Sequence, residues 1–101
     1  MENLHYRFEG GTAVTAARDA CLVGVVSSGN LEVLIEPASL QGACEVDIST
    51  AARGFGAIWE AVMRDFFARH GLRDVRIAIN DAGATPAIVA LRLDQAVEAL
   101  E

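Results

Sequence analysis

The chain has 101 residues, which suits a single domain, residues 1–101, with one hydrophobic core. Apolar residues make up 52% of it and prolines number only 2, which argues against disorder. The net charge of -6 would repel nucleic acids and anionic membranes, so we expect neither as a partner. Because the N-terminus lacks a signal-peptide pattern and no apolar run approaches the roughly 20 residues that span a bilayer, we expect a cytoplasmic protein.

The sequence contains no lysine, since all 8 of its Lys and Arg residues are arginines. Biotin and lipoate are carried on a lysine amine, and Schiff-base chemistry also needs one, so these roles are excluded. Any covalent arm must be attached to a hydroxyl or a thiol. Cys21 and Cys44 form no CxxC and lie at no zinc-like spacing from His5 or His70, which predicts two small buried residues.

The first half of the chain predicts strands. Residues 4–8 begin with alternating apolar residues, and residues 20–26 form a valine-rich apolar run that is typical of a buried strand. Residues 31–36 predict the next strand, and the Ser/Gly/Asn connection between these two favours a β-hairpin. Residues 44–48 alternate apolar and acidic residues, which predicts a half-buried strand of the same sheet.

From about Phe55 the apolar residues change to a helical period. They recur in pairs four apart and predict an amphipathic helix that ends before Gly71, a residue suited to a left-handed cap. The members of this stripe are Ile58, Trp59, Val62, Met63, Phe66 and Phe67. Residues 75–79 alternate again and predict a last strand, followed by a turn over residues 80–83.

The last segment begins with Thr85, a residue favoured at helix caps, and Pro86, favoured at the first helical position. Residues 89–100 keep apolar residues at helical spacing and favour a helix, although the alternation over residues 88–93 leaves a strand start open. Together the elements predict an α+β fold. We expect a small antiparallel or mixed sheet of about four strands with two helices packed on one face.

The sequence offers no set of residues with the chemistry of an enzyme active site. His5 lies near the N-terminus and His70 at a helix end, where it complements the helix dipole, so we expect neither to be catalytic. Neither a GxGxxG nor a GxxxxGK[ST] motif occurs, and the acidic residues lack metal-loop spacing. We therefore expect no catalytic residue and no metal site.

One segment, Val25-Val-Ser-Ser-Gly-Asn-Leu-Glu-Val33, places two hydroxyls at a tight turn between two strands. An exposed turn that the sheet holds on both sides is accessible to a modifying enzyme and then to several partners. Serine, glycine and asparagine are, however, common in hairpin turns that have no such role. The residue pattern alone therefore leaves both interpretations of Ser27 and Ser28 open.

Three stretches of the chain resemble one protein family. The first is residues 25–37, whose Ser-Gly-Asn resembles the family's Ser-Gly-Asp/Asn turn. The second is residues 59–67, and the third is residues 80–86 with the following residues 91–93. They resemble the acyl carrier (delta) subunit of malonate decarboxylase, which is related to the acyl carrier subunit of citrate lyase. The third stretch favours the malonate decarboxylase family. The Asp-Ser-Leu signature of the ordinary four-helix acyl carrier proteins does not occur.

The resemblance implies that Ser28 carries 2'-(5''-phosphoribosyl)-3'-dephospho-CoA through a phosphodiester link, with Asn30 at a position where aspartate is frequent. It further implies that the arm carries acetyl and malonyl thioesters. Acyl transferase and decarboxylase subunits would be the partners, and a transferase would attach the arm. The chain itself would be a non-catalytic carrier, whose acidic surface suits docking on basic patches.

Other interpretations of the sequence remain open at this point. A citrate lyase-type carrier would have the same arm and different partners. A small-ligand or protein interaction module would leave Ser28 unmodified, and a stand-alone enzyme would need an acid, base or nucleophile pair that the sequence does not offer.

Overall fold

Strands form where apolar and polar residues alternate, and helices form where the apolar residues repeat every three or four positions. The computed structural model describes residues 2–11, 13–14, 21–23 and 31–100. Its strands are β1 (Glu2–Phe8), β2 (Ala13–Val14), β3 (Cys21–Val23), β4 (Leu31–Pro37), β5 (Cys44–Thr50), β6 (Leu72–Arg73) and β7 (Val75–Asp81). Its helices are α1 (Gly56–His70) and α2 (Pro86–Leu100).

The main sheet of the described residues is mixed, with five strands in the order β1-β5-β7-β4-β3. Strands β5 and β7 are parallel because α1 returns the chain to the same end of the sheet between them, whereas the other neighbouring pairs are antiparallel. The predicted α+β fold with a small mixed sheet is confirmed. The fifth strand is the short edge strand β3, which pairs with β4 as the predicted hairpin requires.

One face of the sheet is buried and the other is open to solvent. Alternate residues of β4, β5 and β7 are almost fully buried, and they form the core together with residues of both helices. The strand members of this core are Leu31, Val33, Ile35, Cys44, Val46, Ile48, Val75, Ile77 and Ile79. Helix α1 packs on β1 and α2, and α2 packs on β3 and β4, so both helices cover the same face, as predicted.

The open face carries a polar ladder that runs across the strands. Arg7 of β1 is opposite Glu45 of β5, which is in turn opposite Arg76 of β7, and Glu36 of β4 follows. Glu45 forms ion pairs with both arginines. Since oppositely charged neighbours across strands stabilise a sheet slightly, these ion pairs contribute to the stability of the sheet.

Helix α1 buries Trp59, Met63 and Phe66, the centre of the predicted apolar stripe. It ends at Gly71, which adopts the left-handed conformation (φ 56°) and donates its N–H to the Phe67 carbonyl at 2.7 Å. Both the helix and its glycine cap were predicted. The residue before the first turn, Phe55, gives the helix no side-chain cap.

The alternatives left open for residues 86–100 resolve to a helix over its full length. The Thr85 hydroxyl accepts a hydrogen bond from the Ile88 N–H at 3.4 Å, which is the predicted cap. Val89, Leu93 and Val97 are buried at the predicted spacing of four. Helical spacing prevails over the apparent alternation because Ile88 and Val89 both face apolar surroundings.

Two details differ from the sequence predictions. Residues 80 and 81, predicted to begin a turn, are the last two residues of β7, because Asp81 pairs with both Leu31 and Thr50. A small parallel ladder between β2 and β6 was also not predicted. Strands of two residues carry too short a pattern for alternation to identify them.

Candidate functional site

The predicted attachment residue, Ser28, lies in residues 24–30, outside the residues that the structure describes, as does Ser27. The strands on either side of this segment are described. Val23 pairs with Val33 in the β3–β4 hairpin, and Leu31 pairs with Asp81 of the central strand β7. The chain therefore enters and leaves the segment at one end of the sheet.

This end of the sheet, which we call the Asp81 edge, is formed by Leu31, Thr50 and Asp81. Strand β4 begins there, and the parallel strands β5 and β7 both end there, with Asp81 opposite Leu31 on one side and Thr50 on the other. Leu31 is completely buried. The segment that contains Ser28 is thus joined directly to a buried residue of the sheet.

A hydrogen-bond network around the buried side chains of Thr50 and Asp81 holds the Asp81 edge together. The Thr50 hydroxyl donates to Asp81 Oδ2 at 2.8 Å, and Asp81 Oδ1 accepts the N–H groups of Gly83 (3.2 Å) and Ala84 (2.8 Å). The Ala51 N–H donates to the Asp81 carbonyl at 2.9 Å. Because buried polar groups are costly unless they are paired, this complete pairing fixes the ends of β5 and β7 relative to each other.

Sequence reasoning missed the Thr50–Asp81 pair. The spacing Asp81-Ala-Gly83 is the signal that was available, since an aspartate commonly accepts the N–H two residues on in a turn. It does not identify the partner on another strand, because Thr50 is 31 positions away. Only the parallel register of β5 and β7 brings the two residues together.

An apolar groove of about 290 Å³ lies beside the Asp81 edge. Its walls come from the loop before α1, the first turns of α1 and the start of α2: Phe55, Ile58, Trp59, Val62, Ala84 and Val89. Asp81 also lines it. The groove thus joins the polar network of the edge to the gap between the two helices.

Two apolar side chains at this groove are exposed to an unusual extent. Phe55 is 45% and Ile58 is 46% exposed, whereas the neighbouring Trp59 is 6% exposed. Exposed large apolar side chains that cluster around a concave surface are typical of binding sites. Here they flank a groove whose inner wall is the one tryptophan of the chain.

Neither His5 nor His70 is among the residues that line this groove. Nδ1 of His5 lies 2.6 Å from Asp47 Oδ1 on the open face, where both side chains are exposed. Nε2 of His70 lies 2.8 Å from Asp94 Oδ1, where it helps to join α1 to α2, and its ring is tilted against Phe66.

Cys44 is buried in the core, as predicted, and burial raises the pKa of its thiol to about 12. Such a thiol stays protonated at neutral pH and is a poor nucleophile. Among the described residues, no three His, Cys, Asp or Glu side chains are grouped as metal ligands. No helix in the described ranges is both long and apolar enough to cross a membrane.

The sequence profile of a protein family, described as the malonate decarboxylase delta subunit (MdcD), matches residues 18–100 of the chain. A Stenotrophomonas maltophilia protein is 69% identical over 100 residues, which cover 99% of this chain and 94% of that protein. A Burkholderia cepacia protein is 58% identical over 96 residues, covering 95% and 87%. Both relatives bear the name malonate decarboxylase acyl carrier protein.

The fold is similar to that of a chain in a solved structure, described as a Pseudomonas malonate decarboxylase hetero-tetramer in complex with malonate. The two chains superimpose with a TM-score of 0.85 and 36% sequence identity, and the match covers 100% of each. The matched region includes the Asp81 edge and both strands of the β3–β4 hairpin.

Proposed function

Because this chain belongs to the malonate decarboxylase delta subunit family, we propose that it is the acyl carrier subunit of a malonate decarboxylase complex, working in the cytoplasm. The observation that carries this proposal is the family match over residues 18–100, which contains the Ser27-Ser28-Gly29-Asn30 segment. The Pseudomonas structure in which a similar chain occurs is a hetero-tetramer, and this supports other subunits as partners. The family match favours this function over the citrate lyase alternative.

The attachment site in this proposal is Ser28, and the arm is 2'-(5''-phosphoribosyl)-3'-dephospho-CoA in phosphodiester linkage to its Oγ. The arm supplies the thiol on which acetyl and malonyl groups are carried as thioesters. What the described residues contribute is a fixed base: the Asp81 edge and the β3–β4 ladder hold both ends of the segment. The described residues that line the adjoining groove are mostly apolar and include no cation, which fits the acyl end of such an arm better than its phosphates.

A carrier of this kind needs no catalytic side chain of its own. A tethered thioester meets a partner's active site within one complex and not by free diffusion. For a short flexible tether its effective concentration there is about 1 mM or more. The chemistry is then performed by acyl transferase and decarboxylase subunits.

The test is intact-protein mass spectrometry with peptide mapping of residues 25–37, on chain co-expressed with the transferase that attaches the arm. We expect one phosphoribosyl-dephospho-CoA addition in the parent, none in Ser28→Ala, and an unchanged addition in the matched control Ser27→Ala. Malonate turnover by the assembled complex should be lost in Ser28→Ala alone. An unmodified parent chain isolated from cells with active complex would replace this proposal with the interaction-module interpretation.

A further inference from the structure

The folding of the chain does not account for the exposed apolar side chains that line the groove beside the Asp81 edge. Phe55 stands at the start of α1, where it provides no cap for the helix and remains 45% exposed. Ile58 is 46% exposed on the first turn, whereas Trp59 and Met63 of the same helix are buried in the core. Both residues instead form one wall of a concave apolar surface.

The groove lies within a short distance in space of the attachment segment. Ser28 is three residues from Leu31, and three residues span at most roughly 11 Å when fully extended. Leu31 is the direct partner of Asp81, and antiparallel partners have Cα atoms about 5 Å apart. Asp81 lines the groove. An arm on Ser28 therefore starts within roughly 16 Å of a groove residue, a distance that an extended CoA-type arm exceeds.

The chemistry of the groove selects between the two acyl groups of the proposed carrier. The described residues of its walls are aromatic and aliphatic, and the one carboxylate among them, that of Asp81, accepts hydrogen bonds from Thr50 and two backbone N–H groups. A neutral acetyl thioester can lose water there at little cost. A malonyl thioester ends in a carboxylate, which would be desolvated beside described lining residues that include no cation and would lie near the Asp81 carboxylate.

We propose that the groove lined by Phe55, Ile58, Trp59 and Val62 binds the acetyl thioester end of this chain's own arm and excludes the malonyl thioester. The idea rests on the proposed carrier function. The acetyl form is then sheltered from water between turnovers, and exchange of acetate for malonate releases the arm from the groove. The subunit thereby presents the malonyl form more readily to its partners.

The first experiment needs no attached arm, so its result is independent of the modification of Ser28. S-acetylpantetheine and S-malonylpantetheine are titrated separately into the unmodified full-length chain and followed by amide NMR and by the fluorescence of Trp59. We expect the acetyl probe to shift the Trp59 indole and the groove amides, and to bind about fivefold or more tightly than the malonyl probe. Equal binding of the two probes, or shifts confined to other surfaces, would overturn the proposal.

Two variants localise the binding. Ile58→Asp places a charge on the groove wall and should weaken binding of the acetyl probe by about fivefold or more. Leu91→Asp is the matched control, since Leu91 is 52% exposed and does not line the groove. Unchanged binding in Ile58→Asp would contradict the proposal. Because both residues are already exposed, neither change removes a core side chain, and the amide spectrum verifies that each variant is folded.

The second experiment uses the modified, acetylated chain. Cleavage of the thioester by hydroxylamine should be about fivefold or more faster in Ile58→Asp than in the parent and in Leu91→Asp. If all three are cleaved at one rate while Ile58→Asp no longer assembles with the other subunits, the groove is a protein docking surface and the proposal is wrong. Mass spectrometry of the same samples reports separately whether Ser28 is modified.

Discussion

Asp81 is the residue on which the geometry of the candidate site depends most. It is 6% exposed, it pairs with residues of two neighbouring strands, and its carboxylate accepts three hydrogen bonds. Thr50, its side-chain partner, is completely buried. Since hydrogen bonds to a charged group each contribute roughly 1.5–3 kcal/mol and loss of the carboxylate leaves the buried Thr50 hydroxyl without its acceptor, this one side chain has a large effect on the Asp81 edge.

Replacement of that carboxylate should be strongly destabilising. We expect Asp81→Ala to lower the free energy of unfolding by about 2–4 kcal/mol, because it leaves the Thr50 hydroxyl and two backbone N–H groups without an acceptor. Thr50→Val, which removes the hydroxyl that donates to Asp81 and accepts the Ala52 N–H, should cost about 1–2 kcal/mol. Urea unfolding followed by Trp59 fluorescence measures both values.

Asp47→Ala is the matched control, since Asp47 is an exposed aspartate of β5 whose partner is the exposed His5. It should change the free energy of unfolding by less than about 0.5 kcal/mol. Equal stabilities of Asp81→Ala and Asp47→Ala would mean that the buried network contributes nothing beyond a surface pair.

At the scale of elements, Asp94 joins the two helices. This residue of α2 accepts hydrogen bonds from Arg69 at 2.9 Å and contacts His70 at 2.8 Å, both in the last turn of α1. Partial burial acts to raise the pKa of Asp94, but the hydrogen bonds from His70 and Arg69 outweigh it, so its pKa lies below the ordinary 3.8. The ionised carboxylate is therefore favoured in the folded state.

The sign of the resulting pH dependence follows from linkage. A carboxyl group with a lower pKa in the folded than in the unfolded protein stabilises the fold above pH 3.8, and this contribution is lost as the pH falls through the folded value. We expect Asp94→Asn to lower the free energy of unfolding at neutral pH by about 0.5–1 kcal/mol, given that the side chain is partly exposed. The difference between the variant and the parent should shrink below about pH 4 in urea unfolding.

Asp65→Asn serves as the control for this pair. Asp65 contacts Arg69 on the surface of the same helix, 2.9 Å away and four positions earlier, without reaching α2. Its replacement should cost about 0.3 kcal/mol. A difference between Asp94→Asn and the parent that stays constant down to about pH 2.5 would contradict the assignment.

Over the whole molecule, the elements were more predictable from the sequence than their assembly. The helix stripe around Met63 and the cap at Gly71 were visible because each depends on residues a few positions apart. The pairing of Thr50 with Asp81 was not visible, because it arises from the parallel register of β5 with β7. The groove at Phe55 was not visible either, because its lining residues come from segments that are distant in the sequence. Ser28 is a prediction from family resemblance that the described residues do not test, since hairpin residue types alone do not separate an attachment site from an ordinary turn.

The net charge of -6 also acts at this scale. We expect association of the chain with its partner subunits to weaken as sodium chloride rises from about 50 to about 300 mM, mainly through slower association, because salt screens the attraction of an acidic carrier to basic patches. Surface plasmon resonance measures the rate constants. The stability of the isolated chain over the same salt range is the control, and an association rate independent of salt would refute the electrostatic account.

The position of β7 in the centre of the sheet has a consequence for the time at which the carrier can be loaded. During synthesis the β3–β4 hairpin leaves the ribosome long before residues 75–81, which pair with β4. A two-stranded hairpin alone is marginally stable in water. The ends of the segment around Ser28 are therefore fixed only after α1 and β7 have been made, and a transferase that recognises the folded Asp81 edge would act only on chains in which β7 has already paired with β4.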